Sequence, residues 1–237
     1  MTLRTLSVLI TSGLVALATP APAASRTYEV PSFDAVDISA GISAVVDVGS
    51  PQSVSAETAT DAQLQKLDVR VDGGTLRITI KQNALDWLFN FGASRSVTVH
   101  VAAPALKSAS SSAGSNVDVH HLAGQTLSLV ASSGASLSAD AVTGDFLTLD
   151  SSSGASLTAS GTCGNLIANV SSGGNLEARA LACVTANANA SSGGHATVRA
   201  STTINADASS GGGIAIYGRP ATSKVTSSIG GSVEYAD

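Results

Sequence analysis

The sequence predicts an all-β protein: a single-domain parallel β-helix, or β-solenoid, with coils of about 19–20 residues. Three observations support this prediction. A Ser-Ser-Gly motif or a close variant recurs from residue 108 onward. Apolar and polar residues alternate on both sides of each motif, as in strands with one buried face. Ser (37) and Gly (23) are abundant while aromatic residues make up only 3%, so the core must consist of small aliphatic side chains.

Residues 1–23 have the pattern of a secretory signal peptide. A short basic segment at residues 2–4 precedes an apolar run at residues 6–18 and the A-x-A site Ala21-Pro22-Ala23. We therefore expect cleavage after Ala23 and export to the periplasm, the cell surface or the medium. No later stretch has the roughly 20 apolar residues that cross a bilayer, so no transmembrane segment is predicted in the mature chain.

Residues 24–107 are predicted to be less regular β structure that starts and caps the solenoid. Residues 35–48 alternate around Ser39-Ala40-Gly41, which resembles a degenerate first corner. The other elements expected are helical turns at 61–67, a β-hairpin at 69–80 and a strand at 95–101. A cap is expected because a bare terminal coil would expose unpaired strand edges. Residues 24–237 are thus predicted to form one continuous domain.

Residues 108–237 form the regular repeats, each anchored on a glycine at intervals of 18 to 20 residues. Inward-facing apolar residues lie on both sides of the anchor, for example Leu147 and Leu149 before it and Leu157 and Ala159 after it. Each coil is therefore predicted to comprise a strand, a corner, a second strand and a variable return segment. The anchors are Gly114, Gly134, Gly154, Gly173, Gly193, Gly211 and Gly230.

The corner motif is interpreted as structural. Coils stacked about 4.8 Å apart favour a residue without a side chain at a sharp bend, and glycine also takes positive φ at little cost. The serine hydroxyls can satisfy backbone groups that the bend removes from the ladder. No His and acid recur at a fixed offset from these serines, so no catalytic serine is predicted.

The two cysteines occupy the same place in successive coils, each ten residues before an anchor glycine. Stacked positions lie within the Cα separation that a disulfide accepts, and an exported protein meets an oxidising compartment. We therefore predict a disulfide between Cys163 and Cys183.

Five residues are candidates for a binding role. Trp87, Phe89 and Phe91 would share one side of an extended segment and could anchor a partner, a glycan or a membrane interface. The simpler interpretation is a plug over an open coil end or side. His195 is expected to project outward in line with Asn175 and could line a binding face, although a solvated surface role is the simpler interpretation.

Charge and carboxylate placement limit the function classes. Charged residues make up 12% of the chain and the net charge is −5, which excludes a nucleic-acid partner. The 43% of hydrophobic residues exclude disorder. Glycan-cleaving enzymes need clustered acids, and the outward carboxylates are dispersed over several coils, so no catalytic, metal or cofactor site is predicted. These carboxylates are Asp150, Glu177, Asp207 and Glu234.

The order of several short motifs resembles a known family of exported bacterial proteins. The motifs are Phe33-Asp34-Ala35-Val36-Asp37-Ile38-Ser39-Ala40-Gly41-Ile42-Ser43, Val45-Val46-Asp47-Val48-Gly49, Gly74-Thr75-Leu76-Arg77-Ile78, Val97-Thr98-Val99, Ala103-Pro104-Ala105-Leu106 and the Ser-Gly repeats. Together they resemble the "putative auto-transporter adhesin, head GIN domain" family over about residues 30–235. The Gly-Ile-Asn of that family is Gly41-Ile42-Ser43 here. The resemblance implies a β-solenoid of the bacterial envelope whose activity is largely uncharacterised.

The favoured function is a non-enzymatic, adhesin-like binding or scaffold module of the cell envelope. Its flat faces would engage an envelope glycan or protein, as solenoid surfaces commonly do, and its faces or ends could also form homo-oligomers. The alternative is a carbohydrate-active β-helix enzyme. An ice-binding solenoid is disfavoured because no outward column is regularly Thr.

Overall fold

The structure, a computed structural model, describes residues 24–81 and 97–236. The predicted signal peptide and the aromatic residues Trp87, Phe89 and Phe91 lie outside the described residues. Within the described ranges, 18 strands form one hydrogen-bonded sheet that winds into a β-solenoid of about six turns. The predicted fold class is confirmed.

The N-terminal region contains the short elements that the sequence predicts, including the helical turns and the hairpin. Its elements are β1 (Ala24–Thr27), β2 (Ala35–Ile38), β3 (Ser43–Val48), β4 (Ser53–Thr58), α1 (Asp61–Lys66), β5 (Leu67–Asp72), β6 (Thr75–Ile80) and β7 (Val97–Ala103).

The repeat region consists of strands that pair in parallel with the equivalent strands one coil away. They are β8 (Ser108–Ser111), β9 (Asn116–His120), β10 (Ala123–Ala131), β11 (Ser136–Ser151), β12 (Ser156–Val170), β13 (Asn175–Glu177), β14 (Leu181–Ala190), β15 (His195–Ala208), β16 (Gly213–Tyr217), β17 (Thr222–Ser227) and β18 (Ser232–Tyr235).

Several of these strands are longer than the sequence predicts. In β11 and β12 the predicted return segment is itself extended, since these strands run 16 and 15 residues from one Ser-Ser-Gly corner to the next. Short irregularities such as the one between Ala139 and Val142 turn the chain without interrupting the strand. Such bulges let a strand bend while its neighbours stay in register.

The core is a set of inward-facing columns that become smaller along the chain. In one column Leu129, Leu149, Ala168 and Ala188 lie in register on successive coils, and each is at most 1% exposed. Burying one leucine side chain contributes about 1.5–3 kcal/mol. The leucine-rich coils near β10 and β11 therefore provide more hydrophobic stabilisation than the alanine-rich coils near β14.

The corners are type I′ turns that hydrogen-bond to each other. At one corner the Ala155 N–H donates to the Ser152 carbonyl at 3.1 Å, and Ser153 and Gly154 have φ of 53° and 70°. The Gly154 N–H donates to the Ser172 carbonyl of the next coil at 3.1 Å. The same bond to the next corner is made by Gly41, Gly114, Gly134, Gly173, Gly193 and Gly211.

Backbone conformation, not lack of space, explains the anchor glycines. A Cβ placed on Gly173 would meet no atom within 4 Å, whereas its φ of 70° is in the left-handed region. Space is limiting one residue later, where a Cβ on Gly174 would lie 2.6 Å from the Ser151 carbonyl oxygen. Serine hydroxyls satisfy some backbone groups of the corners, as predicted: the Ser151 hydroxyl donates to the Ala155 carbonyl at 3.0 Å, and the Ser112 N–H donates to Ser115 Oγ at 3.0 Å.

The first coil of the chain lies inside the stack rather than at its end. β2 pairs in parallel with both β6 and β8, and β3 pairs in parallel with both β7 and β9. The N-terminal end is then covered by antiparallel strands, since β5 pairs with β6, β4 with β7 and β1 with β4. These strands remove the free edge of the first parallel layers.

The predicted disulfide is present. Cys163 and Cys183 lie in register on β12 and β14, with a Cα–Cα distance of 4.4 Å and a sequence separation of 20. The bond therefore joins two successive coils where the core is changing from leucine to alanine.

Substituting the two adjacent glycines of one corner should have unequal effects on stability. Gly173→Ala should lower the free energy of unfolding by about 1 kcal/mol, because it strains only φ. Gly174→Ala should lower it by about 3 kcal/mol, because the methyl group meets backbone atoms that cannot move aside. Urea denaturation followed by circular dichroism checks this order, and equal losses would contradict the geometry.

Removing the disulfide should destabilise the protein. The double substitution Cys163→Ala and Cys183→Ala should lower the free energy of unfolding by about 3 kcal/mol, because a loop of this length is no longer closed in the unfolded chain. Ala182→Ser, on an exposed position of the same strand, is the matched control and should leave the urea midpoint unchanged. A double variant as stable as the wild type would contradict this role.

Candidate binding face

The outward side of the strands that precede the corners carries columns of amide and carboxylate side chains. We call this surface, on β10, β11, β12, β14 and β15, the ladder face. In its first column the Asn169 Nδ2 donates to Asp150 Oδ1 at 2.8 Å, and the Asn189 Nδ2 donates to Asn169 Oδ1 at 3.0 Å. Asp207 continues the column in register with Asn189. The coil repeat thus builds a continuous polar ladder.

Two neighbouring columns of the ladder face are bonded in the same way. The Asn205 Nδ2 donates to Asn187 Oδ1 at 2.8 Å, and the Thr185 hydroxyl donates to Asn165 Oδ1 at 2.6 Å. A depression of about 380 Å³ lies between the columns near the C-terminal coils, lined in part by Asn187, Asn205 and Lys224. These bonds fix the side chains before any ligand arrives.

The ladder leaves hydrogen-bonding capacity towards solvent. An asparagine amide has two N–H donors and an oxygen with two lone pairs. Asn169 uses one donor towards Asp150 and accepts one bond from Asn189, so one N–H and one lone pair remain. The ladder face can therefore offer donors and acceptors at a repeat of about 4.8 Å, the spacing of stacked strands.

Exposed apolar side chains interrupt the polar columns. Phe146 is 56% exposed and Ile167 is 45% exposed. Phe146 is in register with Asn165, and Ile167 lies on the same strand between Asn165 and Asn169 and in register with Asn187. Ile167 thus lies among three amides of the ladder, and the Phe146 ring lies beside the Asn165 amide.

A groove runs beside the ladder face along the stacking direction. Its central part, of about 670 Å³, is lined by residues that include Gly144, Gly164 and Val184. A Cβ on Gly164 would lie 2.7 Å from the Asp145 carbonyl oxygen, so glycine lets the strands approach at the groove floor. Val184 is 49% exposed at the wall.

An ion pair closes the N-terminal end of the groove. The Lys107 ammonium donates to Asp34 Oδ2 at 2.6 Å, and both residues line the groove together with Gln125. The hydrogen bond to Asp34, and then the charge of that carboxylate, raise the pKa of the Lys107 side chain above its ordinary value. Lys107 therefore stays protonated throughout the physiological range.

The structure places Asn175 and His195 next to each other, on the far side of the corner from the ladder face. Both side chains are exposed and in register on β13 and β15. A Cβ on Gly213 would lie 2.7 Å from His195 Nδ1, so the imidazole rests over a bare stretch of backbone. A binding role for these two residues stays a prediction, as does one for Trp87, Phe89 and Phe91.

Other chemistry-bearing groups of the described residues are isolated. His120 Nδ1 lies 2.9 Å from Asp140 Oδ2 on the surface, and residues 24–81 and 97–236 contain no group of three or more His, Cys, Asp or Glu side chains placed to hold a metal. Over the same residues, no helix has the length and apolar character to cross a membrane.

Phe146 and Ile167 are absent from the candidate residues that the sequence suggests. Four positions before the anchor, the outward column reads Asp150, Asn169 and Asn189, and is polar as predicted. The two apolar residues could have been found as exceptions in otherwise polar outward columns. Ile167 lies between the inward residues Leu166 and Ala168, so the alternation already placed it on the outward side.

Residues 32–220 match the family described as "Putative auto-transporter adhesin, head GIN domain". The chain belongs to this family. Within the GIN family protein the motif residues Gly41 and Ile42 form the first corner, where Gly41 has a φ of 73° and Ile42 is fully buried. No curated protein is a significant sequence match to the chain.

Solved structures share the fold at low sequence identity. A "putative adhesin" from Bacteroides fragilis is 19% identical with a TM-score of 0.80, covering 92% of this chain and 99% of that one. A "putative lipid binding protein" from Parabacteroides distasonis is 15% identical with a TM-score of 0.67, covering 91% and 97%. A "putative adhesin" from the same species is 16% identical with a TM-score of 0.63, covering 91% and 97%.

Alanine substitution of two outward asparagines should show that the ladder contributes to stability and that the rest of the surface does not. Asn169→Ala should lower the free energy of unfolding by about 1 kcal/mol, because it removes the hydrogen bonds to Asp150 and Asn189. Asn175→Ala should change it by less than about 0.5 kcal/mol, since this exposed side chain makes no hydrogen bond within the described residues. Urea denaturation measures both values, and equal effects would contradict a bonded ladder.

Proposed function

We propose that this GIN family protein is a non-enzymatic module of the cell envelope that binds an extended glycan along the ladder face. The observation that carries the proposal is the position of two exposed apolar side chains beside hydrogen-bonded amides, with Ile167 among several of them and Phe146 next to Asn165. Adhesin-like family membership and adhesin-like structural neighbours support a non-enzymatic adhesin or lipid-binding role.

Sugar chemistry fits this combination of groups. A pyranose ring has an apolar C–H face that can pack on an aromatic or aliphatic side chain, and a rim of hydroxyls that both donate and accept. Phe146 and Ile167 supply the apolar surface, and the free N–H and lone pair of Asn169 suit the hydroxyls. Because the ladder is already ordered, binding costs little side-chain entropy.

The repeat of the face suits a polymer better than a single sugar. Equivalent groups recur on β12, β14 and β15 because those strands are in register, so successive sugars of a chain could meet similar partners. Individual contacts on an open face are weak, and several in a row give useful affinity through effective concentration. An adhesin-like protein of the exported or surface class meets such polymers in the envelope.

The glycan-binding hypothesis is tested by a set of matched variants on glycan arrays and by titration with the best-bound polysaccharide. Phe146→Ala and the pair Asn169→Ala with Asn187→Ala should each weaken binding at least about tenfold, because each removes a buried contact worth about 1–2 kcal/mol. Asn175→Ala is the control on the other side of the corner and should bind like the wild type.

Two outcomes would overturn the proposal. Binding that is lost in Asn175→Ala but kept in Phe146→Ala would move the site to the face of Asn175 and His195. Turnover of the bound polysaccharide by the purified protein would establish the alternative, a carbohydrate-active enzyme. The thermal melting of every variant is measured alongside, so that loss of fold is not read as loss of contact.

A further inference from the structure

Within residues 24–81 and 97–236, the strands of the C-terminal coil, β17 and β18, pair only with the coil before them, β17 with β15 and β18 with β16. All six residues of β17 are exposed, including Val225 at 42%, and Tyr235 of β18 is 57% exposed. The N-terminal end, by contrast, is covered by antiparallel strands. An open parallel edge with apolar residues is a template for pairing with another chain.

The residues of the open coil are arranged symmetrically in sequence about Ile229, the first of the two central residues of its corner turn. Val225 and Val233 lie four residues before and after it, and both continue inward columns, since they are in register with Ala206 and Ile214. Lys224 and Glu234 lie five residues before and after it and continue outward columns. Consider a second copy of the chain related by a two-fold axis that passes through the corner, perpendicular to the stacking direction. This axis would place the inward-facing residues of one copy over the inward-facing residues of the other.

Such an axis lays β17 of one copy antiparallel to β18 of the other. Lys224 would then face Glu234 of the second copy, and this pairing would occur twice. Neither side chain has an ion-pair partner among residues 24–81 and 97–236. Val225 would face Val233 of the second copy and continue the core across the junction. The two ends are thus complementary in charge and in polarity.

The free backbone groups also match. Ser228 N–H donates back to Ala208, and Ser232 N–H donates back to Gly212. Because the direction of these groups alternates along a strand, the N–H groups of Val225 and Val233 point out of the open end. In an antiparallel hydrogen-bonded pair, the backbone N–H and C=O groups of both facing residues point towards the partner strand. The two-fold pairing of Val225 with Val233 meets this condition.

The corner residue itself is exceptional. The equivalent position is Ala40, Ala113, Ser133, Ser153, Ser172, Ser192 or Ser210 in the other coils, and Ile229 in the last one. Ile229 has a φ of 48°, which is a rare conformation for a β-branched residue, and is 82% exposed. On the two-fold axis its side chain would pack against the same residue of the second copy.

We propose that the open C-terminal coils of two copies of this chain pair edge to edge about a two-fold axis, forming an end-to-end dimer with one continuous solenoid core. A two-fold contact of this kind is closed, so it produces dimers and not fibres. The dimer interface adjoins the C-terminal end of the ladder face, because Lys224 also lines the depression there, and the dimer would present two of these faces.

The first test is the mass in solution. Sedimentation equilibrium of the wild type should give a monomer–dimer equilibrium. Lys224→Glu alone and Glu234→Lys alone should each raise the dimer dissociation constant at least about tenfold, because each places like charges face to face twice. The double variant Lys224→Glu with Glu234→Lys should return the dissociation constant to the wild-type value.

Mixing the two single variants gives the sharpest test. In a mixed dimer, Glu at position 224 of one chain faces Lys at position 234 of the other, and Glu at position 234 of the first chain faces Lys at position 224 of the second. Both contacts then join opposite charges, so the mixture should dimerise at concentrations at which neither variant alone does. Ile229→Ser should also weaken the dimer while leaving the monomer at least as stable to urea. This opposite effect on stability separates loss of contact from loss of fold.

Three results would overturn the proposal. A wild type that stays monomeric up to its solubility limit would do so, as would a dimer that neither charge reversal weakens. A mixture of the single variants that stays monomeric while the wild type dimerises would also contradict the pairing of Lys224 with Glu234.

Discussion

The hydrogen bond from each corner glycine to the next corner is the constraint on which the rest of the structure depends. Each Ser-Ser-Gly corner turns the chain with two residues at positive φ, such as Ser153 and Gly154, and its outward position would ordinarily leave the glycine N–H to water. Donation to the carbonyl of the next corner holds the corners in register along the stack. Register at the corners then sets register along both strands of every coil.

Because the register is strict, each side chain lies next to the side chain at the equivalent position of the neighbouring coil. Inward, it produces columns of leucine and alanine and brings Cys163 within bonding distance of Cys183. Outward, it aligns Asp150, Asn169 and Asn189 so that each amide bonds to the next. The proposed glycan face is therefore a consequence of the same repeat that builds the core, because any polar outward position becomes a ladder.

Much of the fold could be predicted from the sequence, because period-two alternation and glycine spacing are local signals. The corners, the disulfide, the short helix and the hairpin followed from them. The insertion of β2 and β3 between β6 and β8 could not be predicted, since no local pattern specifies which coils become neighbours. Phe146 and Ile167 were also missed, although the alternation placed Ile167 outward between Leu166 and Ala168, because the candidate residues came from polar and aromatic motifs and not from apolar exceptions in the outward columns. The outward polar columns were predicted, whereas their hydrogen bonds needed coordinates.

The central claim is that backbone bonds between corners hold the solenoid in register, and amide hydrogen exchange measures it directly. The amides of Gly134, Gly154, Gly173 and Gly193 lie in exposed turns, yet each has a carbonyl acceptor in the next coil. The account predicts that they exchange as slowly as amides of the core strands, with opening only by global or subglobal unfolding. Exchange at the rate of ordinary surface loops would contradict it.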